Sequence, residues 1–182
     1  MNKWPLPDKL ETDRLILRPF TEEDFIPFFA FCRDEKANRY LAFKPEQKTY
    51  AGARETIDRI IRLYGDKNQI FTLAIERKWD HKYVGSVGLE PVAGGSDTEI
   101  FYTLLPRFWG KGYATEAAHR LLVYAFSDLD LSKIVAFIHP HNSASIRVAQ
   151  RLRMKDIGYT LRKKQSEKEK VFALSRRRFF SD

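Results

Sequence analysis

Residues 109–115, Trp-Gly-Lys-Gly-Tyr-Ala-Thr, are the stretch of this chain best suited to hold an anion. They follow a strand-like apolar segment at 99–105 and open a helix-like one at Tyr113. A strand, a glycine turn and a helix N-terminus together offer free backbone amides and the positive end of the helix dipole to phosphate oxygens. Gly110 and Gly112 permit left-handed backbone and close approach, and Lys111 adds a cation at the mouth. A Walker A loop is excluded, because no Lys-Ser/Thr pair follows the glycines. A dinucleotide-binding fingerprint finds Gly110, Gly112 and Asp130 about 20 residues on. Thr115 stands at its third glycine position, however, and Arg107, Phe108 and Trp109 separate the strand from the glycines. An ordinary strand-to-helix turn is the remaining reading of the loop taken alone.

Other reactive residue types are sparse. His139 and His141 are the one close histidine pair, with no cysteine or carboxylate cluster nearby, so no metal site is expected. The single cysteine, Cys32, lies in the apolar run 28–32 and is expected to be a buried thiol. The formal charge of +8 is concentrated at one end: residues 151–182 carry 11 Lys and Arg against 4 Asp and Glu. Such an end is either a solvated basic hairpin or an attractor of nucleic acid, an acidic protein or a polyanionic cofactor.

The elements that must position the loop can be read from periodicity. Residues 11–19 alternate as a first strand ended by Pro19. Thr21 and Asp24 are spaced as a capping box, with Phe20 and Phe25 as a hydrophobic staple, and Pro27 is expected to bend the helix that follows. A second helix over 50–64 should exit at Gly65. Strands are expected at 70–76, 83–89 and 99–105, then a helix over 113–127 whose buried face carries Ala117, Ala118, Leu121, Leu122, Ala125 and Phe126. A strand at 134–138, a helix near 143–152 and strands at 155–161 and 171–174, around a polar turn at 163–170, complete the order. The fold class is therefore α/β (α+β), a mixed sheet of about seven strands flanked by about four helices. At 182 residues the chain fits one domain, 1–182. Its 43% hydrophobic and 31% charged content suits a soluble globular protein. No run of about 18 apolar residues suggests a membrane span, and the N-terminus lacks the apolar core of a secretory signal. A cytoplasmic location is expected.

The segment from Glu99 to Ala117 resembles the core of the GNAT acetyltransferase superfamily, and within it the RimJ/RimL-like branch named for ribosomal-protein N-terminal acetyltransferases. The opening Glu-Thr-Asp-Arg-Leu-Ile-Leu-Arg-Pro at 11–19 and the Asn-Ser-Ala-Ser-Ile at 142–146 resemble two further segments of that branch. The similarity runs over about 10–159 and implies a mostly antiparallel sheet. The superfamily signature, Gln/Arg-x-x-Gly-x-Gly/Ala, aligns with Trp109, Gly112 and Ala114, so Trp109 is a departure. Arg153-Met154 stands where Gly-Phe usually follows the last helix.

The resemblance implies acetyl-CoA as co-substrate and direct transfer of its acetyl group to a primary amine, with no metal. Backbone amides of Tyr102, Thr103 and Leu104 would pair with the pantetheine arm. Trp109, Gly110, Lys111, Gly112, Tyr113, Ala114 and Thr115 would hold the pyrophosphate. Asn142 would bond the pantetheine arm or cap its helix. Glu99 is the candidate base, or a solvated strand-end charge, and Glu90 is a second choice. The tyrosine acid that many members carry falls at Ala149, leaving Ser145 to bond the sulfur or to cap the helix locally. Trp4, Tyr40 and Phe43 could line an acceptor pocket or pack the core. The acceptor is expected to be a protein N-terminus, such as that of a ribosomal protein, or a small-molecule amine, and monomer and homodimer stay open. The alternative is a catalytically weak module of this fold that binds RNA or the ribosome through its basic C-terminal region.

Overall fold

The computed structural model of the chain describes residues 4–41, 43–64, 71–162 and 167–181. In chain order they form β1 (Leu10–Glu11), β2 (Leu15–Arg18), α1 (Phe25–Arg33), α2 (Glu35–Asn38), α3 (Tyr50–Leu63), β3 (Phe71–Arg77), β4 (Lys82–Pro91), β5 (Thr98–Leu104), α4 (Tyr113–Ser127), β6 (Lys133–Ile138), α5 (Ser143–Arg151), β7 (Lys155–Thr160), β8 (Glu169–Ser175) and α6 (Arg176–Phe180). One sheet of eight strands has the order β1-β2-β3-β4-β5-β6-β8-β7. Every pairing is antiparallel except that of β5 with β6. Among the described residues no helix is long and apolar enough to cross a membrane.

The expected first strand is split into the hairpin β1–β2, which supplies the eighth strand. Thr12 N–H donates to the Leu15 carbonyl at 3.0 Å, and Leu15 N–H returns to Thr12 Oγ1 at 2.9 Å. Thr12 and Arg14 also both bond the Glu116 carboxylate, which draws the turn onto α4. The capping bond expected after β2 is present, with Thr21 N–H donating to Asp24 Oδ2 at 2.9 Å. Pro27 falls in the first turn of α1, where an amide has no intrahelical partner to lose, so the expected cost of its missing donor does not arise. Gly65, Ile70 and residues 163–166 lie outside the described residues.

Helix α4 matches its expected span, and all six residues assigned to its inner face are buried. Leu121, Leu122 and Phe126 are fully enclosed with Phe71, Leu73 and Ile75 of β3, each worth about 1.5–3 kcal/mol of transfer free energy. Cys32 is buried as expected, and burial pushes its thiol up to about 12. Trp4 and Phe43 pack against this core. The turn after α5 keeps the form that a glycine usually gives it. Met154 N–H bonds the Ala149 carbonyl and Arg153 N–H that of Gln150, with Arg153 left-handed at φ 60°.

Candidate active site

Strands β5 and β6 run parallel but pair only at Thr98–Ile134 and Glu99–Val135. Beyond that point β5 stays with β4 as far as Leu104, and β6 stays with β8 as far as Ile138. The two strands therefore part into a wedge open at their C-terminal ends. Leu105 N–H donates to the Val84 carbonyl at 3.0 Å, which sets the alternation along β5. Odd residues turn their main chain to β4, and Tyr102 and Leu104 turn theirs into the wedge. The Leu104 carbonyl already accepts the Trp109 indole Nε1 at 2.9 Å. Trp109 thus ties the glycine loop to β5 through its side chain, a role that the sequence did not suggest.

At the open end of the wedge Gly110 and Gly112 have φ of 74° and 81°, a region that costs other residues roughly 1–2 kcal/mol. Gly112 caps α4, so the amides of Tyr113, Ala114 and Thr115 form its first turn and lack intrahelical partners. The Thr115 hydroxyl is buried with no hydrogen-bond partner among the described residues. Lys111 is exposed, and its carbonyl accepts Arg14 Nη1 at 3.0 Å. The Arg14 Nε donates to Glu116 Oε2 at 2.7 Å, and its guanidinium lies 4.8 Å from the Tyr113 ring centre. Burial pushes the Glu116 carboxyl up, but the hydrogen bonds from Thr12 and Arg14 outweigh it and hold the group below its ordinary value. Arg14 and Glu116 therefore brace the loop from outside. They are 102 positions apart, and nothing local in the sequence pairs them.

Helix α5 closes one face of the wedge. Asn142 Oδ1 accepts Ser145 N–H at 3.1 Å and caps the helix. The Tyr102 hydroxyl reaches across to donate to the Ser145 carbonyl at 3.1 Å, and burial pushes this phenol well above its usual range. The Ser145 hydroxyl makes no hydrogen bond among the described residues, and Ala149 is fully buried. The loop, the Tyr102–Leu104 segment, Asn142 and Ser145 are thus brought to one wedge.

Glu99 stands apart from them, at the closed end and on the opposite face. Side chains alternate along a strand, so Glu99 shares its face with Phe101 and Thr103, not with Tyr102. Glu90 lies directly across on β4. Glu99 is 9% exposed. Arg162 Nη1 donates to its Oε2 at 2.6 Å, while Arg162 Nε donates to Glu169 Oε2 at 2.6 Å. The guanidinium rests 4.4 Å from the Phe137 ring centre. Burial raises the Glu99 carboxyl to about 7 against the pull of Arg162, with Glu90 and Glu169 adding to the rise. On the same face Tyr40 stacks on His139 with ring centres 4.8 Å apart, joining the loop after α2 to the end of β6. Neither Arg162 nor this stack was legible as part of a site.

A mixed sheet with a parted strand pair, and a glycine-capped helix at its mouth, defines the class of fold used by acyl-CoA transferases. Residues 14–155 match the acetyltransferase (GNAT) domain family. The chain is 34% identical over 140 residues to YoaA, an uncharacterized N-acetyltransferase of Bacillus subtilis, covering 76% of this chain and 78% of that protein. An acetyltransferase of the GNAT family from Bacillus anthracis superposes with a TM-score of 0.78 at 24% identity, covering 93% of this chain and 99% of that one. The ribosomal-protein-S5-alanine acetyltransferase of Vibrio fischeri does so with a TM-score of 0.74 at 18% identity, covering 92% and 96%. The two solved structures bear on the fold. The chain belongs to the GNAT acetyltransferase family, and it is an acetyl-CoA-dependent N-acetyltransferase.

Proposed function

We propose that the chain moves an acetyl group directly from acetyl-CoA to the primary amine of a peptide N-terminus, in a ternary complex, with residues 1–182 working as one domain. The observation that carries this reading is the parting of β5 and β6 just after Glu99 and Val135, with a left-handed glycine and a helix N-terminus at the open end. The residues there suit the donor. The amides of Gly110 to Thr115 match a pyrophosphate, Lys111 adds charge, and the buried Thr115 hydroxyl still has a bond to make. The main chain of Tyr102 and Leu104 suits an amide-bearing arm laid in the wedge like an extra strand.

The bound donor supplies an activated acetyl thioester. In the transfer a C–N bond forms, the C–S bond breaks, and the amine gives up a proton. Glu99, poised near neutrality by burial, takes that proton from the acceptor face, directly or through water. A wedge-facing amide of β5 stabilises the charge that develops on the acetyl oxygen. The Ser145 hydroxyl, free of other bonds, donates to the departing sulfur in place of the tyrosine that Ala149 displaces. The Glu90–Glu99 pair favours a cationic amine at the entrance, and the Vibrio fischeri enzyme's substrate, ribosomal protein S5, makes a protein N-terminus the first acceptor to try. The test is thiol release from acetyl-CoA with a panel of N-terminal peptides and amine metabolites, with the acetylated atom located by mass spectrometry. Transfer to peptide α-amines is expected. Turnover with metabolite amines alone would contradict the acceptor, and no turnover with any amine would contradict the reaction.

A further inference from the structure

Two clefts flank the glycine loop, and they differ in charge. One, of about 620 Å³, lies between the β1–β2 hairpin and α4 and brings Glu11, Asp13 and Glu116 to its wall. The other, of about 330 Å³, is lined by Arg77, Lys82, Arg107, Phe108 and Lys111. Four cations there converge on one buried aromatic ring. The Arg77, Arg107 and Lys111 charges lie 5.1, 5.0 and 5.7 Å from the Phe108 ring centre. Asp80 answers two of the four, accepting Arg77 at 2.6 Å and standing 3.4 Å from Lys82. Arg107 and Lys111 have no carboxylate partner among the described residues.

Cations brought together without matching carboxylates repel one another, and an anion placed among them relieves that repulsion. The ring also attracts cations to its face, but it cannot neutralise them. Lys111 belongs to both this cleft and the loop, so an anion in the cleft sits beside whatever the loop holds. Coenzyme A carries a 3′-phosphate on the same ribose that bears its pyrophosphate, and a guanidinium such as that of Arg107 meets phosphate oxygens with two parallel bonds.

We propose that the cleft formed by Arg77, Lys82, Arg107 and Lys111 around Phe108 binds the 3′-phosphate of the donor nucleotide, and that the acidic cleft on the other side of the loop turns it away. This rests on coenzyme A being the donor. Arg107 and Lys82 supply the exposed half of the site, and Arg77, held by Asp80, supplies the fixed half. The cleft therefore selects coenzyme A over its dephosphorylated form.

The experiment is calorimetric binding of coenzyme A and of 3′-dephospho-coenzyme A to the wild-type protein and to an Arg107→Gln/Lys82→Gln variant. Both substitutions are at exposed side chains, and an unchanged melting temperature confirms the fold. The wild type should bind coenzyme A at least about tenfold more tightly than the dephospho form, a difference of about 1.4 kcal/mol. The variant should bind the two within about twofold, with its affinity for the dephospho form close to that of the wild type. Equal affinities in the wild type would overturn the proposal. So would a preference that survives in the variant, or an equal loss for both ligands, which would mark a general field effect. Binding of neither ligand to the wild type would instead remove the donor assignment on which the proposal stands.

Discussion

Arg162 Nη1 donates to Glu99 Oε2 at 2.6 Å while the same guanidinium holds Glu169, so the buried carboxyl of β5 is shared with a residue 63 positions away. Arg162 opposes the upward push that burial gives Glu99. The candidate base is thus set by two competing forces, and each can be altered separately.

If Glu99 accepts the amine proton, it must be ionised to do so. With its carboxyl at about 7, kcat/KM should fall as pH drops below about 7. Glu99→Gln should lower kcat by about 100-fold or more, the usual scale for a general base, with little change in the KM for acetyl-CoA. A pH profile of thiol release for both proteins checks this.

The same group makes a stability prediction. The ordinary value of Glu99 is 4.5 and its folded value is about 7, so the neutral form is the one the fold favours. That contribution is complete below about pH 4.5, drains away as the unfolded chain ionises first, and is gone above about pH 7. Glu99→Gln never ionises, so it should gain on the wild type as pH rises from 4.5 to 7, by up to about 3 kcal/mol. Urea unfolding at pH 4.5 and pH 8 measures the gain. A difference that stays constant with pH would count against a burial-raised carboxyl.

Removing Arg162 acts in the opposite sense to an ordinary loss of stability. Arg162→Gln should move the acid limb of the kcat/KM profile to higher pH, because the cation that favours ionised Glu99 is gone. Arg162→Lys keeps the charge and should recover part of the shift. A merely structural role would lower the melting temperature and leave the limb in place.

These partners also mark how far the sequence could be read. Helix α4 was legible because its buried face repeats at helical spacing, and the wedge strands because their apolar runs are bounded by turns. The loop, Asn142 and Ser145 were legible as segments, since each acts through local backbone. Arg162 with Glu99 and Arg14 with Glu116 were not, because each pair forms only when distant strands and helices meet. Helix α6 was missed for a similar reason. Five residues do not show a period, and its Phe179 is placed by packing on Phe126 and His119.

Arg153 gives a test of the turn after α5. It holds φ 60° where a glycine would sit without strain. Arg153→Gly should stabilise the fold by about 1 kcal/mol, once the greater freedom of glycine in the unfolded chain is set against the relief. For a chain of this size that is about 2–4 °C in melting temperature, readable by calorimetry.

Gly112→Ala tests the loop itself. At φ 81° a Cβ is strained, and it would also stand 3.3 Å from Arg14 Nη2. Acetyl-CoA affinity should fall about tenfold or more, while kcat at saturation falls less. An unchanged dissociation constant would show that the loop geometry does not serve the donor.

The central claim is that the donor lies along the wedge from the Tyr102–Leu104 segment to the first turn of α4. Hydrogen exchange with and without saturating acetyl-CoA tests it most directly. The account predicts slowed exchange at Tyr102 and Leu104, at 110–115 and at 142–145, with little change in α3 or α6. Saturable binding that leaves those amides unchanged would contradict it.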